Sequence, residues 1–266
     1  MLRNELVISS LPKSDLNQAE SRLTTRLSLV VPTYNESGNI EAIIEALSAA
    51  LDRRLPGDYE LVIVDDDSPD RTWEKAVALS QVYPQVTVIR RVGERGLASA
   101  VIHGLRCSKS DIVGTINADL QHPPEVMVEL VDAIEHGADI ANASRYIGGG
   151  AIRGWSWSRR ILSKGAGALA SWLLPGPARH LSDPMSGCYL VRRRLIEGCI
   201  EEIKPRGFKT LIEILVRTDS KRIVEVGYTF RERQVGCSKV TWKSYVQYFS
   251  QLIALRLYWH GRRKHG

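Results

Sequence analysis

Long apolar runs are missing from this 266-residue sequence, and their absence bears on the class of protein. A helix that spans a membrane needs about 20 consecutive apolar residues. The longest uncharged, apolar-leaning run, Gly165 to Ala178, is shorter and includes Pro175, Gly176 and Pro177. Hydrophobic residues make up 44% of the chain and charged residues 25%, which is ordinary for a folded soluble domain. The sequence therefore predicts one large folded domain without a transmembrane helix.

Cysteine is also scarce, and the four that occur form no metal-binding or redox pattern. Cys107, Cys188, Cys199 and Cys237 include no CxxC pair and show no zinc-ligand spacing. We expect reduced thiols, because disulfides are rare in the cytosol. Residues 1–26 are mixed and polar and lack the apolar core of a signal peptide, so we expect a loose N-terminal arm.

The two commonest nucleotide-binding fingerprints of α/β proteins are absent too. The turn after the first predicted strand reads PTYNESGN, which contains no GxGxxG, and no GxxxxGK[ST] occurs. These absences argue against a Rossmann dinucleotide site and a P-loop. The net charge of +6 is compatible with nucleic acid, anionic lipid or a phosphorylated substrate, and does not choose among them.

Predicted strands alternate with predicted helices through the first 145 residues. The apolar strands are predicted in 27–36, 60–70, 86–91, 111–117 and 138–145, and the helices over 37–53, about 68–82, 97–106 and 124–136, the second with Ser68 as its N-cap and Pro69 at its first position. This alternation predicts a mainly parallel sheet covered by helices. Ligands bind such sheets beyond the carboxyl ends of the strands, where the sequence places its polar clusters.

The most specific polar cluster is GTINADLQHPPE, residues 114–125. Asn117, Asp119 and Gln121 occupy alternate positions of a predicted extended segment and point to the same side. Oxygen ligands grouped in this way suit a divalent cation that bridges a diphosphate, with Asp119 supplying the charge. The alternative is a strand-to-helix turn rich in polar caps.

A second polar cluster, VDDDSPD, places Asp65, Asp66 and Asp67 at the end of the second strand. One carboxylate can accept hydrogen bonds from a base N–H or a ribose hydroxyl, and another can help to hold a metal. Three adjacent carboxylates repel one another unless a cation or hydrogen-bond donors relieve them. The alternative is a solvated acidic turn that caps the next helix.

Seven motifs occur in the order in which one enzyme family has them. They are VVPTYNE, VDDDSPD, NADLQHPPE, ASRY, DPMSGCYLVRR, PRGFKTLIEIL and YTFRERQVGCSK, between about residues 27 and 242. The sequence resembles the dolichyl-phosphate mannosyltransferases, the polyprenyl-phosphate branch of glycosyltransferase family 2. The resemblance implies an α/β protein with a GT-A fold. It also implies inverting transfer of a sugar, mannose from GDP-mannose, to a polyprenyl or dolichyl phosphate.

The resemblance also implies a role for each matching residue. The residues expected to bind the nucleotide are Pro32, Tyr34, Glu36, Asp65, Asp66 and Asp67, and those expected to bind Mg²⁺ or Mn²⁺ are Asn117, Asp119 and Gln121. The residues expected to bind the acceptor phosphate are Arg145, Arg159 and Ser163. Arg233 lies in a loop that closes over the donor. The expected catalytic residues are Asp119, Arg145, Arg159 and Arg233. A lipid phosphate is already an anion, so it needs arginines rather than a general base.

Asn117 departs from the family pattern, which usually has an aspartate there. An asparagine oxygen can bind Mg²⁺ but adds no charge, so we expect a working but weakened metal site, with Asp66 and Asp67 near enough to add charge. The alternatives are a family 2 glucosyltransferase that uses UDP-glucose, an enzyme with a soluble acceptor, and a catalytically silent membrane-surface scaffold. A nucleic-acid binder is the weakest alternative, because no recognised nucleic-acid module occurs.

Aromatic and basic residues lie side by side in two segments after residue 146. One is 155–174; the other is 242–259, where one apolar stripe is predicted from Trp242, Tyr245, Val246, Phe249, Leu252 and Ile253. Such helices lie in a membrane interface, although a helix packed on the core gives a similar pattern. We expect an arm (1–26), a GT-A domain (27–241) and a tail helix (242–266). We also expect peripheral attachment to the cytoplasmic face of a membrane, and either a membrane-anchoring partner or self-association.

Overall fold

The computed structural model describes residues 5–7, 25–148, 150–152, 157–174, 176–203, 209–218, 220–232 and 242–265. Its strands are β1 (Glu5–Val7), β2 (Leu27–Thr33), β3 (Tyr59–Asp65), β4 (Val86–Arg91), β5 (Ile112–Thr115), β6 (Ile140–Ser144), β7 (Ala151–Ile152), β8 (Tyr189–Arg192), β9 (Ile223–Gly227) and β10 (Thr229–Phe230). Its α-helices are α1 (Ile40–Leu51), α2 (Thr72–Leu79), α3 (Leu97–Cys107), α4 (Val126–Glu135), α5 (Trp157–Leu173), α6 (Arg193–Ile196), α7 (Thr210–Arg217) and α8 (Trp242–His265), and a 3₁₀ helix covers Gly176–His180.

Eight of the strands form one mixed sheet in the order β1-β4-β3-β2-β5-β8-β6-β9. Strands β4, β3, β2 and β5 are mutually parallel, and β6 pairs with β9 in parallel. Strand β8 runs antiparallel between β5 and β6, and β1 pairs antiparallel with the β4 edge. The prediction of a mainly parallel sheet flanked by helices is confirmed.

The two faces of the sheet are buried by different helices, because alternate side chains of each strand point to opposite faces. Leu29 and Val31 of β2 belong to a core with α1 and α4, whereas Val30 belongs to a core with α3, α7 and α8. Gly104 lets α3 approach closely, since a Cβ atom there would lie 2.6 Å from Val30 Cγ1. Because both faces of the sheet are buried, these strands are apolar throughout.

The start of the second helix differs from the prediction. Helix α2 begins at Thr72, after Arg71 in the left-handed conformation, and not at Pro69. The Ser68 hydroxyl donates to Asp65 Oδ2 at 2.7 Å instead of capping a helix, and Asp70 Oδ1 accepts from the Thr72 amide at 3.1 Å. The Ser68 hydroxyl, which was predicted to cap the helix, therefore binds Asp65 of the acidic cluster instead.

The tail helix α8 does not carry the single apolar stripe that was predicted. Leu252 is buried, together with Tyr248 and Leu255, whereas other members of the predicted stripe are exposed. The exposed apolar side chains of α8 are Val246, Phe249, Ile253 and Leu257. The Trp242 and Tyr245 side chains lie outside the described residues. Within the described part of the chain, no helix is long and apolar enough to cross a bilayer.

Candidate active site

The polar clusters that follow β2, β3 and β5 lie at one edge of the sheet. The parallel register pairs Thr33 of β2 with Asp65 of β3, and β2 also pairs in parallel with β5. The turn after β6, which holds Arg145, ends at the same edge because β6 runs in the direction of β5 on the other side of β8. One shared site at the carboxyl ends of these strands follows from this topology.

Asp65 is the fully buried anchor of the predicted nucleotide site. Its Oδ2 accepts hydrogen bonds from the hydroxyls of Thr33 and Ser68, both at 2.7 Å, and its Oδ1 accepts from the Ser68 amide at 2.8 Å. These bonds tie the turn after β3 to the end of β2. In this structure the Asp65 carboxylate is directed to protein groups, and its contact with a nucleoside stays a prediction.

The PTYNE turn after β2 is held from both sides. The Glu36 amide donates to the Thr72 hydroxyl at 2.9 Å, and Glu36 Oε2 accepts from Asn39 Nδ2 at 2.7 Å. Pro32 is buried within β2, while Tyr34 is half-buried. The guanidinium carbon of Arg95 lies 4.6 Å from the centre of the Tyr34 ring. Tyr34 therefore offers an aromatic face at the predicted nucleotide site, with a cation already stacked on it.

Asp66 and Asp67 are paired with arginines of β4. Buried Asp66 accepts from Arg91 Nε at 2.8 Å and from the Gly96 amide at 2.7 Å, and Asp67 accepts from Arg90 Nε at 2.7 Å. Burial raises the pKa of Asp66, although the Gly96 amide and Arg91 oppose the shift. Both carboxylates are therefore paired with arginines in this structure, and the expectation that they add charge beside the metal turn stays a prediction.

The metal motif is a turn and not an extended strand end. Strand β5 stops at Thr115, residues Ala118 and Asp119 form a turn, and Leu120 has a φ of 56°. The Gln121 amide donates to Asp119 Oδ1 at 3.2 Å and thereby closes the turn. The prediction that the three side chains share one side of a strand is wrong, since the side-chain hydrogen bond curls the backbone.

The donor set of this turn fits a Mg²⁺ or Mn²⁺ ion that shares its coordination with a diphosphate. Asp119 is the one acid of the three residues, and it is buried beside Gln121. Gln121 Nε2 donates to the Arg231 carbonyl at 3.3 Å, so its oxygen is the atom that remains for a cation. Mg²⁺ is commonly held by one or two carboxylates together with substrate phosphates, and this set meets that requirement.

Asn117 packs against the loop before β8. A Cβ atom on Gly187 would lie 2.9 Å from Asn117 Nδ2 and 3.2 Å from Asn117 Oδ1. Only glycine leaves room for the half-buried amide at this point. The loop that contains Gly187 thus touches the residue at which the metal motif departs from the family pattern.

Arg145 is fixed by a carboxylate that the sequence analysis did not single out. Its Nε donates to Asp183 Oδ2 at 2.7 Å and its Nη2 to Asp183 Oδ1 at 2.8 Å, and both side chains are buried. Burial lowers the pKa of Arg145, but hydrogen bonding to Asp183 outweighs that effect and leaves the pKa raised. The backbone at Asp183 is fixed in turn, because its amide donates to Glu225 Oε1 at 3.2 Å. The motif DPMSGCYL was the available signal, but spacing alone did not name a partner.

An aromatic stack lies beside the metal turn. The His122 ring stacks on Tyr228 at a centroid distance of 5.1 Å and meets the edge of Phe230 at 5.5 Å. Burial and nearby Arg145 lower the pKa of His122 to about 3, so the ring is neutral at physiological pH. Among the described residues, His122 Nδ1 and the Tyr228 hydroxyl have no hydrogen-bond partner.

The remaining predicted acceptor residues, Arg159 and Ser163, lie on α5. Ser163 accepts a hydrogen bond from the Tyr146 hydroxyl at 2.9 Å, which places it next to the turn that holds Arg145. Arg159 lies on α5, but its side chain is outside the described residues, and so is Arg233. The contributions of Arg159 and Arg233 therefore stay predictions.

Comparison with known proteins supplies the family. A sequence profile described as "Glycosyl transferase family 2" matches residues 28–200, which is more than half of the chain. The chain belongs to glycosyltransferase family 2. It is a glycosyltransferase, and its mainly parallel sheet, flanked by helices, has the predicted GT-A fold.

Relatives in this family match the chain over most of its length. A dolichol-phosphate mannosyltransferase of Pyrococcus furiosus is 44% identical over 237 residues, which cover 89% of this chain and 65% of the relative. The chain thus spans less than two thirds of the length of that relative. A dolichol-phosphate mannosyltransferase of Saccharomyces cerevisiae is 34% identical over 246 residues, or 90% of each chain.

Solved structures support the fold. Glucosyl-3-phosphoglycerate synthase from Mycobacterium tuberculosis, in complex with Mn²⁺, UDP and glucosyl-3-phosphoglycerate, superposes with a TM-score of 0.64 at 21% identity. The match covers 95% of this chain and 85% of that structure. At this level of identity the similarity concerns the fold of the family 2 glycosyltransferase and not its substrate.

Proposed function

We propose that this family 2 glycosyltransferase transfers mannose from GDP-mannose to a polyprenyl phosphate and forms a polyprenyl-phosphate mannose. The observation that carries the proposal is the 44% identity to a dolichol-phosphate mannosyltransferase across 89% of the chain. The buried Arg145, aligned by Asp183 at the carboxyl edge of the sheet, supports an anionic acceptor. A planar guanidinium matches the oxygens of a phosphate better than it matches a neutral sugar hydroxyl.

The proposed reaction is a single displacement. A phosphate oxygen of the acceptor attacks the anomeric carbon and forms the new C–O bond, while the bond from that carbon to the diphosphate breaks and GDP leaves. The anomeric configuration inverts, and no proton has to be removed from the acceptor. Arg145, Arg159 and Ser163 bind and orient the acceptor phosphate, and Arg233 neutralises charge on the departing diphosphate.

The donor is bound by residues on the other strands of the same edge. We assign the nucleoside to the PTYNE turn and the acids after β3, with the Tyr34 ring as an aromatic surface. Asn117, Asp119 and Gln121 would hold Mg²⁺ or Mn²⁺. When bound, that ion supplies positive charge that stabilises the leaving diphosphate.

The acceptor is a lipid, and the charge distribution supports peripheral attachment to the cytoplasmic face of a membrane. Residues 146–182 and 233–266 contain 12 Lys and Arg but no Asp or Glu, and they hold five of the six tryptophans. The rest of the chain carries 24 Lys and Arg against 30 Asp and Glu, so the basic surplus is confined to these two segments. Basic and aromatic residues together are typical of an interfacial surface.

The described side chains on these segments support the same surface. Trp157 and Trp172 of α5 are 76% and 73% exposed, and Phe249 of α8 is 49% exposed. Lys164 on α5 and Arg256 on α8 lie on the same two helices, which contact each other. We therefore assign the membrane contact to the outer faces of α5 and α8.

A catalytically silent scaffold is the second candidate, and Asn117 is the observation that favours it. The metal motif has one carboxylate, and the described residues contain no group of three or more Asp, Glu, His or Cys residues that could hold a metal. Calorimetric titration of GDP with and without Mn²⁺ separates the two candidates. Tighter binding with Mn²⁺ supports the enzyme, whereas metal-independent binding of GDP, or none, supports the scaffold.

The proposed function is tested by transfer of radiolabelled mannose from GDP-mannose to undecaprenyl or dolichyl phosphate in detergent with Mg²⁺ or Mn²⁺. UDP-glucose in place of GDP-mannose tests the donor, and 3-phosphoglycerate in place of the lipid tests the acceptor. We expect a lipid-soluble labelled product with GDP-mannose only. Faster transfer from UDP-glucose, or to the soluble acceptor, would contradict the proposal.

A further inference from the structure

A lysine outside the assigned sets lies beside the acceptor arginine. Lys209 directly precedes α7, and its ammonium group donates to the backbone carbonyl of Met185. Burial and the nearby charge of Arg145 lower the pKa of Lys209 to about 7, while Asp183 opposes the shift. The side chain is therefore in the same desolvated environment as the Arg145–Asp183 pair, although it belongs to a different element.

The Met185 carbonyl belongs to a loop that contacts both halves of the proposed site. This loop, residues 182–187, contains Asp183, which aligns Arg145, and Gly187, which packs against Asn117. The first residue of the loop is anchored to β9, because the Ser182 amide donates to Glu225 Oε2 at 2.8 Å. The bond from the Lys209 ammonium group therefore holds the loop between its two functional contacts.

The tail helix holds Lys209 from the other side. Gln251 of α8 is buried, and its Nε2 donates to the Lys209 carbonyl at 3.1 Å and to Glu213 Oε1 at 3.2 Å. Glu213 in turn accepts from Arg217 Nε at 2.8 Å, so α7 and α8 are joined by a buried polar network. A continuous chain of hydrogen bonds thus leads from α8 through Lys209 to the 182–187 loop.

We propose that Lys209 is a positioning residue for the acceptor phosphate, and that Gln251 couples the placement of α8 to it. Lys209 acts through the 182–187 loop, which sets the position of Asp183 and hence the direction of the Arg145 guanidinium. The inference rests on the proposed function, because it requires a phosphate acceptor at Arg145. It adds that the helix assigned to the membrane surface is mechanically connected to acceptor binding.

The geometry favours an effect on the acceptor over an effect on the donor. Lys209, which directly precedes α7, contacts the loop at Met185, two residues from Asp183. This loop leads into β8. The predicted nucleoside residues lie on or directly after β2 and β3. Their hydrogen bonds run to groups of the same turns and to Arg90, Arg91 and Gly96, on and after β4. Loss of the ammonium group should therefore leave these donor contacts in place.

The test compares Lys209→Met, Lys209→Arg and Gln251→Met with the wild-type enzyme. We measure KM for undecaprenyl phosphate, KM for GDP-mannose and the thermal unfolding midpoint. Exposed residues supply the matched controls, Lys109→Met and Gln247→Met, the second on the same helix as Gln251. In Lys209→Met we expect KM for the lipid phosphate to rise about tenfold, the effect of losing a charge-assisted hydrogen bond.

Further expectations separate a positioning role from a structural one. KM for GDP-mannose should stay within about twofold of the wild-type value, and Lys209→Arg should recover part of the lipid affinity. Gln251→Met should shift KM for the lipid in the same direction by a smaller factor. If Lys209→Met does not fold, Gln251→Met and Lys209→Arg carry the test.

Two results would overturn the inference. One is an unchanged KM for the lipid in the folded Lys209 and Gln251 variants. The other is an equal rise in both KM values, which would mean that Lys209 is merely structural. The proposed function is judged separately from the wild-type enzyme: if wild type transfers no mannose to the lipid, the proposed function fails and the inference falls with it.

Discussion

A single buried ion pair carries much of the proposed acceptor chemistry. Arg145 would be costly to bury alone, and Asp183 offsets that cost while it fixes the plane of the guanidinium. The arginine was identifiable from the SRY motif, but its partner lies 38 residues further along the chain. Contacts over such separations depend on the strand order β5-β8-β6, which local patterns do not specify.

The first prediction concerns this arginine. Arg145→Ala should raise KM for the lipid phosphate by about ten- to a hundredfold, because a charge-assisted interaction contributes ~1.5–3 kcal/mol. It should also lower the free energy of unfolding by roughly 3–5 kcal/mol, since Asp183 is left buried without its partner. Steady-state kinetics and urea unfolding measure the two effects. Arg194→Ala, at an exposed arginine, is the control. Equal changes in KM for donor and acceptor would rule out the acceptor role.

The second prediction concerns Asn117. Asn117→Asp preserves the shape that fits against Gly187 and adds a second carboxylate near Asp119. We expect a lower half-saturating Mn²⁺ concentration for transfer, because the added charge attracts the cation. Asp119→Asn is the opposite control and should abolish metal-dependent turnover. An unchanged metal requirement in Asn117→Asp would place residue 117 outside the coordination sphere.

The third prediction concerns the pH dependence of stability at Lys209. Its pKa is about 7 in the folded protein, below the 10.5 of an exposed lysine, because burial and Arg145 disfavour the charge and Asp183 only partly restores it. Between these values the unfolded chain binds the proton more strongly, so stability due to this group rises with pH from about 7 to 10. Neighbouring His122 stays neutral in this range. Urea unfolding at several pH values should show that the free energy of unfolding rises from about pH 7 to 10 in wild type and not in Lys209→Met. The same pH dependence of the free energy of unfolding in both proteins would contradict this prediction.

At the scale of elements, strands were predicted better than helix starts. The strands are buried on both faces, so apolar runs such as LSLVV identify them directly. The predicted start of α2 failed because Ser68 bonds to Asp65 rather than to the helix. The extended reading of residues 117–121 failed for a similar reason, since Asp119 accepts from the Gln121 amide and the chain turns at Leu120.

The tail helix shows why apolar periodicity alone could not identify its buried face. Gln251 is buried and its amide nitrogen is satisfied by hydrogen bonds, whereas Phe249 and Ile253 are exposed. Gln251 shares the packed face with Tyr248, Leu252 and Leu255, so apolar residues lie on both faces of the helix and the usual amphipathic pattern is lost. Apolar residues on both faces fit a helix that packs against protein on one side and against lipid on the other.

The fourth prediction tests that outer face. The double variant Phe249→Ser, Ile253→Ser should bind vesicles containing anionic lipid about tenfold or more weakly, because exposed apolar area no longer enters the interface. The thermal unfolding midpoint should not fall, since both side chains are outside the core. Val82→Ser, at a 70% exposed apolar residue of another surface, is the control. Equal vesicle binding by the double variant and wild type would remove α8 from the membrane surface.

At the scale of the whole molecule, the site joins residues that are far apart in sequence. The proposed donor residues follow β2 and β3, the proposed metal turn follows β5, and the proposed acceptor arginine follows β6. The sequence was sufficient to place these clusters at one edge, because ligands of parallel sheets bind beyond the carboxyl ends of the strands. It was insufficient for the 182–187 loop and Lys209, whose positions depend on the antiparallel insertion of β8.

The most direct test of the account is the transfer assay with wild-type enzyme. Labelled GDP-mannose, Mn²⁺ and undecaprenyl phosphate should yield a lipid-soluble mannosyl phosphate whose anomeric configuration, read by NMR, is opposite to that of the donor. Chelation of the metal should stop its formation. A product with retained configuration, or labelled mannose found only in water-soluble products, would contradict the account.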